Sequence, residues 1–111
     1  MQANIEQTVL RNILTDEVYM RKVLPFIKPD YFQGVYKSLF KEAARYVAKY
    51  NKLPTSESLA IELDDNKWFS GEQFQLAMDI IPQLYTIESI NNEWLIDATE
   101  KWCQDRAVYN A

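Results

Sequence analysis

The 111-residue sequence contains no histidine, only two glycines and one cysteine. Without histidine, the chain lacks the commonest general base and the commonest metal ligand of enzymes. Gly34 and Gly71 are too far apart for the G-x-x-x-x-G-K-[ST] loop that binds nucleotide phosphates. Cys103 has no cysteine with which to form a disulfide and no histidine to activate its thiol, which favours a packing role in a reducing compartment. The sequence therefore predicts no catalytic, metal or cofactor site in this chain.

The sequence also lacks any run of about 18 apolar residues, the length needed to cross a membrane. Its first residues show no basic segment followed by an apolar one, so no secretory signal is expected. We therefore expect a cytoplasmic protein with no membrane partner. The net charge is −4, and an acidic domain lacks the broad positive field that attracts DNA phosphates.

The residues that are present indicate one folded, all-α domain. Hydrophobic residues make up 48% of the chain and aromatic residues 14%, enough for a single core without disulfides. Few glycines and little β-branched alternation argue against strands. We expect a compact bundle of about six helices, with breaks at Pro25 and Pro29 and a kink or stop at Pro82. The expected helix caps are Asn4, Asp16, Asp30, Thr55 or Ser56, Ser70, and a residue within 89–92.

The clearest amphipathic helix extends from Val35 to Tyr50. Its aromatic side chains fall on the predicted buried face, so they are interpreted as core and not as a base-stacking platform. Opposite them is a basic ridge, defined as Lys37, Lys41, Arg45 and Lys49. The ridge is either a contact for DNA phosphates or an acidic partner, or an ordinary solvated helix face. The predicted buried face comprises Val35, Tyr36, Leu39, Phe40, Ala43, Tyr46, Val47 and Tyr50.

The last helix, expected from Asn92 to Ala111, is apolar on two sides. This pattern is typical of a helix that packs on both sides. We expect one of Trp94 and Trp102 to be core and the other to lie near an interface. No stop signal follows, so the helix either continues into a longer chain or frays at a natural end. One face is formed by Ile90, Trp94, Leu95, Ala98, Trp102, Val108 and Tyr109, and the opposite strip by Ile96, Cys103 and Ala107. The candidate interface comprises Trp94, Ile96, Trp102, Cys103, Arg106, Ala107 and Tyr109.

The order of motifs along the chain resembles the N-terminal domain of DnaB-type replicative DNA helicases. The closing segment 100–111, EKWCQDRAVYNA, resembles more narrowly the replicative helicases of T-even-like phages. The chain departs from bacterial members at Tyr36, where they commonly carry histidine, and the stretch from Phe32 to Phe40 is slightly shorter. The matching motifs are Ile5 to Leu10, Val23-Leu24, Asp30-Tyr31-Phe32, Leu39-Phe40, Leu53-Pro54-Thr55 and Leu59 to Leu63.

The resemblance implies a non-catalytic role in DNA replication. It implies a helical head over residues 1–88 and, over 89–111, a long helix that is the truncated start of a helical hairpin. In this family the domains pair into dimers, and three dimers form a collar on a hexameric ring. The collar also binds primase and helicase-loading factors. ATP and magnesium are expected only at the motor domain, which this chain lacks.

Two other functions fit the residues without the resemblance. One is a free-standing helical adaptor that binds another protein through its last helix. The other is a small DNA-binding domain that uses the basic ridge, although the acidic charge argues against it. The reading frame beyond Ala111 distinguishes the adaptor from a helicase domain, because a helicase gene would continue to a P-loop motif.

Overall fold

Six α-helices and two short 3-10 turns make up the described part of the chain in the computed structural model. The structure describes residues 5–65, 71–86 and 91–109, with only the backbone described at Tyr109. No strand occurs in these ranges, which confirms the all-α prediction. The helices are α1 (Ile5–Thr15), α2 (Glu17–Val23), α3 (Gly34–Tyr50), α4 (Ser56–Asp64), α5 (Gly71–Leu84) and α6 (Asn92–Tyr109).

Helix α1 lies at the centre and packs against α2, α3, α5 and α6. Val9, Leu10, Ile13 and Leu14 are buried, at the spacing that places apolar side chains on one helical face. The predicted cap of this helix, Asn4, lies outside the described residues. Burial of this face against four other helices makes α1 the support on which the rest of the bundle is built.

The junction between α2 and α3 is set by two prolines. Helix α2 ends at Val23, and 3-10 turns follow at Leu24–Phe26 and Pro29–Tyr31. Each turn carries a proline in its first residues, where a missing backbone N–H costs no hydrogen bond. The predicted breaks at Pro25 and Pro29 are therefore confirmed.

The expected cap at Asp30 is wrong. Asp30 lies inside the second 3-10 turn, and its carboxylate instead accepts a charge-assisted hydrogen bond from Lys37 at 2.8 Å. Gln33 precedes α3 without forming a side-chain cap. The turn into α3 depends instead on Gly34, whose φ of +57° is a left-handed conformation that residues with a Cβ adopt only at a cost.

Helix α3 buries the apolar residues of its predicted face, namely Val35, Leu39, Phe40, Ala43 and Val47. Tyr36 and Tyr46 are half-buried, whereas Tyr50 is 48% exposed, so its assignment to the core is wrong. Tyr50 is the last residue of the helix, where fewer neighbours surround a side chain. Asn51 then ends the helix in a left-handed conformation, with its N–H bonded to the carbonyl oxygen of Val47 at 2.7 Å.

Helices α4 and α5 close the bundle. Thr55 caps α4 by accepting a hydrogen bond from the Ser58 N–H at 3.0 Å, as predicted. Helix α5 continues two residues past Pro82 and ends at Leu84, so the stop lies slightly beyond the proline. The phenol of Tyr85 donates to the Pro54 carbonyl at 2.8 Å and joins the end of α5 to the turn before α4. The predicted cap at Ser70 lies outside the described residues.

The predicted boundary between residues 88 and 89 also lies outside the described residues. The division into a head and a hairpin helix therefore stays a prediction. In the ranges the structure describes, no helix is both long and apolar enough to cross a membrane.

Candidate functional site

Helix α6 carries the predicted interface, and it is fixed to the bundle from its first turn. Asn91 caps it by accepting a hydrogen bond from the Trp94 N–H at 3.2 Å, which confirms the cap expected within 89–92. The Asn92 amide donates to Oδ2 of Asp16 at 3.2 Å. The other oxygen of Asp16, Oδ1, caps α2 through the Tyr19 N–H at 3.1 Å. One carboxylate thus holds the starts of two helices.

The buried face of α6 differs from both predicted faces. Leu95, Thr99, Trp102 and Cys103 are all at most 8% exposed, at spacings of four, three and one residues. This face lies between the predicted face, which held Leu95 and Trp102, and the opposite strip, which held Cys103. The two predicted faces were wrong because the centre of the buried face is Thr99, a polar residue. A search for apolar residues alone left Thr99 out and divided its apolar neighbours between two faces.

Thr99 is buried without penalty because its hydroxyl is fully used. It donates to the Leu95 carbonyl at 2.7 Å, and the Tyr19 phenol lies 2.6 Å from the same oxygen. Tyr19 is therefore the donor between the two hydroxyls. Burial raises the pKa of Tyr19 to about 12, although the hydrogen bond to Thr99 acts in the opposite direction. The phenol therefore keeps its proton at neutral pH and joins α2 to α6.

Trp102 joins α6 to the junction between α2 and α3. Its ring meets Tyr31 and Phe32 edge-on, with centroid distances of 6.1 Å and 5.0 Å. Phe32 in turn stacks on Phe40 of α3 at 4.9 Å. Edge-on and offset contacts of this kind add to the burial energy of large rings. The indole N–H of Trp102 is buried and has no hydrogen-bond partner among the described residues.

Arg106 fixes the end of α6 to the start of α1. Its guanidinium lies 3.4 Å from Oε2 of Glu6, and both side chains are at least three-quarters buried. The other oxygen of Glu6 accepts a hydrogen bond from the Gln33 backbone N–H at 2.7 Å. Glu6 therefore connects α1, the residue before α3 and α6 through one side chain.

The structure does not bring onto one surface the six candidate interface residues whose side chains it describes. Trp102 and Cys103 face the core and Arg106 pairs with Glu6. Trp94 is 56% exposed, Ala107 is exposed and Ile96 is half-buried. The side chain of Tyr109 lies outside the described residues. Trp102 thus takes the core position expected for one of the two tryptophans, while an interface role for exposed Trp94 stays a prediction.

An open apolar groove of about 550 Å³ lies along the junction of α2, its following turn and α6. The Cys103 thiol lies in its wall, where burial raises its pKa to about 11. A thiol that stays protonated at neutral pH is a poor nucleophile, which agrees with the packing role expected for it. The lining residues are Lys22, Val23, Phe26, Ile96, Thr99, Glu100, Cys103 and Gln104.

The basic ridge on α3 is partly neutralised within the chain. Lys37 pairs with Asp30 at 2.8 Å and lowers the pKa of that carboxyl group. Arg45 lies 3.0 Å from buried Glu42 and 3.2 Å from Glu62 of α4, and Glu42 raises the pKa of Arg45. Two of the four cations are therefore engaged by carboxylates, which reduces the positive field available to DNA phosphates.

The remaining ridge residues are exposed. Lys41 faces solvent, and the ammonium of Lys49 lies 5.2 Å from the ring centre of Tyr50. Tyr50 also contacts Tyr46 at a centroid distance of 4.7 Å. The described residues include no cluster of three or more acidic, cysteine or histidine side chains placed to hold a metal ion, and Asp64 and Asp65 are exposed.

Sequence reasoning missed the polar contacts that fix α6. The sequence predicts a cap at Asp16 but does not indicate that Asp16, Glu6 or Tyr19 has a partner on α6. For Thr99 a signal was present, because it lies four residues after Leu95 and three before Trp102 on the same helical face. For Glu6 and Arg106 no local signal exists, since they are 100 residues apart.

Comparison with known proteins supplies the remaining evidence. No protein-family model matches the chain. Over 106 residues, 95% of its length, the chain is 29% identical to a DnaB-like replicative helicase of Enterobacteria phage T4. The chain spans 22% of the length of that relative. The resemblance expected from the order of motifs is thus confirmed, since nearly the whole chain is similar to part of a phage DnaB-like replicative helicase.

Proposed function

We propose that this chain is a non-catalytic assembly and docking domain of a phage replicative DNA helicase. The observation that carries the proposal is the similarity to a DnaB-like replicative helicase over 95% of the chain. Unwinding would be performed by a motor domain elsewhere in the parent protein, with ATP and magnesium bound there. The domain itself would support ring assembly with other copies of the helicase and would bind primase or a helicase loader.

The packing of α6 supports a role in holding other proteins. One side of the helix is fixed to α1 and α2 by Arg106, Thr99 and Asn92. The open groove lies beside this fixed side, where Ile96, Glu100 and Gln104 line it, and Trp94, outside the groove, is 56% exposed near the start of the helix. A helix held rigidly on one side presents its other side in a fixed geometry, which lowers the entropy lost on binding. We propose that residues 89–111 form the first part of a hairpin in the parent protein.

The test uses the full-length parent protein and a version from which residues 1–111 are deleted. We expect the full-length protein to form hexamers by light scattering and to bind purified primase by calorimetry. The deleted version should retain DNA-stimulated ATP hydrolysis but lose primase binding. Undiminished primase binding by the deleted version would contradict the docking role, and unchanged hexamer stability would contradict the assembly role.

The DNA-binding hypothesis makes a different prediction. If the basic ridge contacts DNA, the chain should bind an oligonucleotide at low salt, and replacing Lys41 and Lys49 with glutamate should abolish that binding. The ion pairs of Lys37 and Arg45 favour the opposite result. We expect no measurable fluorescence anisotropy change with labelled single-stranded or duplex DNA.

A further inference from the structure

The groove between α2 and α6 is lined by apolar residues of both helices and by one exposed aromatic residue in the turn after α2. Val23 lines its α2 side, and Ile96 and Cys103 line its α6 side. Phe26, in the turn after α2, lines the groove and is 67% exposed. An exposed phenylalanine beside an apolar concavity leaves considerable apolar surface in contact with water. Covering this surface would be favourable.

The two walls of the groove carry opposite charges. Lys22 projects from α2 and Glu100 from α6. Neither side chain forms an ion pair with another residue in the described part of the chain. A twofold-symmetric contact is self-complementary, so a wall that meets the opposite wall of a second copy makes the same contact twice. A positive wall and a negative wall on the same molecule are therefore complementary to a second copy of that molecule.

We propose that this groove is the contact face for a second copy of the chain, related by a twofold axis. The α2 wall of each copy packs against the α6 wall of the other, so that Lys22 faces Glu100 twice per dimer. Phe26 of each copy enters the apolar groove of the other. This assignment rests on the proposed function, in which copies of the domain assemble, and it names the surface through which they do so.

A second copy explains the pattern better than an unrelated partner does. An unrelated helix can match any arrangement of charges, so it requires no relation between the two walls. A twofold contact in which opposite walls meet requires that each wall complement the other, as Lys22 and Glu100 do. The contact also covers Ile96 and Cys103, the apolar α6 residues that line the groove.

The decisive test is a charge exchange measured by sedimentation equilibrium of the 111-residue chain at moderate salt. The Lys22→Glu and Glu100→Lys variants should each weaken self-association by about tenfold, because each creates two like-charge contacts per dimer. An equimolar mixture of the two variants should form a mixed dimer about as stable as that of the unaltered chain. In the mixed dimer, the introduced glutamate of one copy faces the introduced lysine of the other, and the unaltered Glu100 of the first copy faces the unaltered Lys22 of the second.

A second pair of variants tests the apolar part of the contact. Phe26→Ser should weaken association by at least about tenfold, because two buried phenyl groups are lost per dimer. Ile61→Ser is the matched control, since Ile61 is 57% exposed on α4 and should leave association unchanged. Circular dichroism of each variant should match that of the unaltered chain, because both side chains are mostly exposed.

Two results would overturn the inference. One is a chain that stays monomeric at millimolar concentration. The other is a dimer whose stability neither the charge exchange nor Phe26→Ser changes, which would place the contact on another face. Either result leaves the proposed function intact if the parent protein still binds primase. The proposed function would fail separately if deleting residues 1–111 from the parent protein left primase binding and hexamer stability unchanged. In that case the 111-residue chain could still form a dimer through the groove.

Discussion

Helices α3 and α6 are buried in different ways. The buried face of α3 consists mainly of apolar residues such as Leu39 and Phe40, which pack without directional bonds. The buried face of α6 is centred on Thr99 and continues to Arg106, whose partners lie on α2 and α1. Apolar packing tolerates small changes in angle, whereas hydrogen bonds fix both distance and direction. The comparison indicates that α3 provides cohesion while α6 is held in one orientation.

The largest effect should come from Trp102, a large aromatic residue of α6 that packs against other aromatic rings, as Phe40 of α3 does. Trp102→Ala should lower the free energy of unfolding by about 3–5 kcal/mol, because it removes the contacts with Tyr31 and Phe32 and leaves a cavity. Trp94→Ala is the matched control, since Trp94 is 56% exposed. Its cost should stay below about 1 kcal/mol. Urea unfolding followed by circular dichroism measures both, and equal costs would contradict the assignment of Trp102 to the core.

The next effect concerns the directional contact itself. Tyr19→Phe and Thr99→Val should each lower the free energy of unfolding by about 1–3 kcal/mol. Each substitution removes one hydroxyl of the buried pair and leaves the other without that hydrogen-bond partner. The double variant should cost less than the sum, with a coupling free energy of about 1 kcal/mol in a double-mutant cycle. Strict additivity of the two substitutions would show that the hydrogen bond contributes nothing to the docking of α6.

A smaller effect should appear where α3 begins. Gly34 has a φ of +57°, and no heavy atom lies near the position of an added Cβ. The methyl group of Gly34→Ala would therefore meet no neighbour, and the only strain would come from holding alanine in a left-handed backbone conformation. The expected cost is about 1 kcal/mol. Gly71→Ala is the matched control, because Gly71 also begins a helix and also has open space around its Cβ position, but lacks the positive φ. It should be neutral or stabilising in thermal unfolding, and a similar loss at both positions would argue against strain at Gly34.

The smallest effect at neutral pH, and one that grows in alkali, should come from Cys103. Burial raises its pKa in the folded chain from the ordinary value of 9.0 to about 11, so the unfolded chain loses the proton first. The free energy by which the protonated thiol favours the folded chain is fully present below pH 9 and is lost as the pH rises through 11. Cys103→Ala should therefore lose less stability than the unaltered chain between pH 9 and 11. Parallel pH profiles of urea unfolding would contradict a buried thiol.

The fold was largely predictable because most helices here carry local sequence signals. Periodicity identified α3, proline chemistry identified the breaks at Pro25 and Pro29, and side-chain caps identified the starts at Asp16 and Thr55. Apolar periodicity alone did not identify the buried face of α6, because its centre is polar Thr99, whose hydroxyl bonds to the Leu95 carbonyl and to Tyr19, 80 residues away. Partial neutralisation of the basic ridge was likewise hidden, since Glu62 reaches Arg45 from another helix.

The two bridging carboxylates have a consequence for how the chain unfolds. Asp16 uses one oxygen for α2 and the other for Asn92, 76 residues later. Glu6 uses one oxygen for the Gln33 N–H and the other for Arg106, 100 residues later. Detaching α6 would therefore remove a partner from both carboxylates at once and weaken the anchoring of the helices they serve. Helix α6 thus belongs to the same cooperative unit as α1 and α2, and its amide protons should exchange together with theirs and not in a separate, earlier opening.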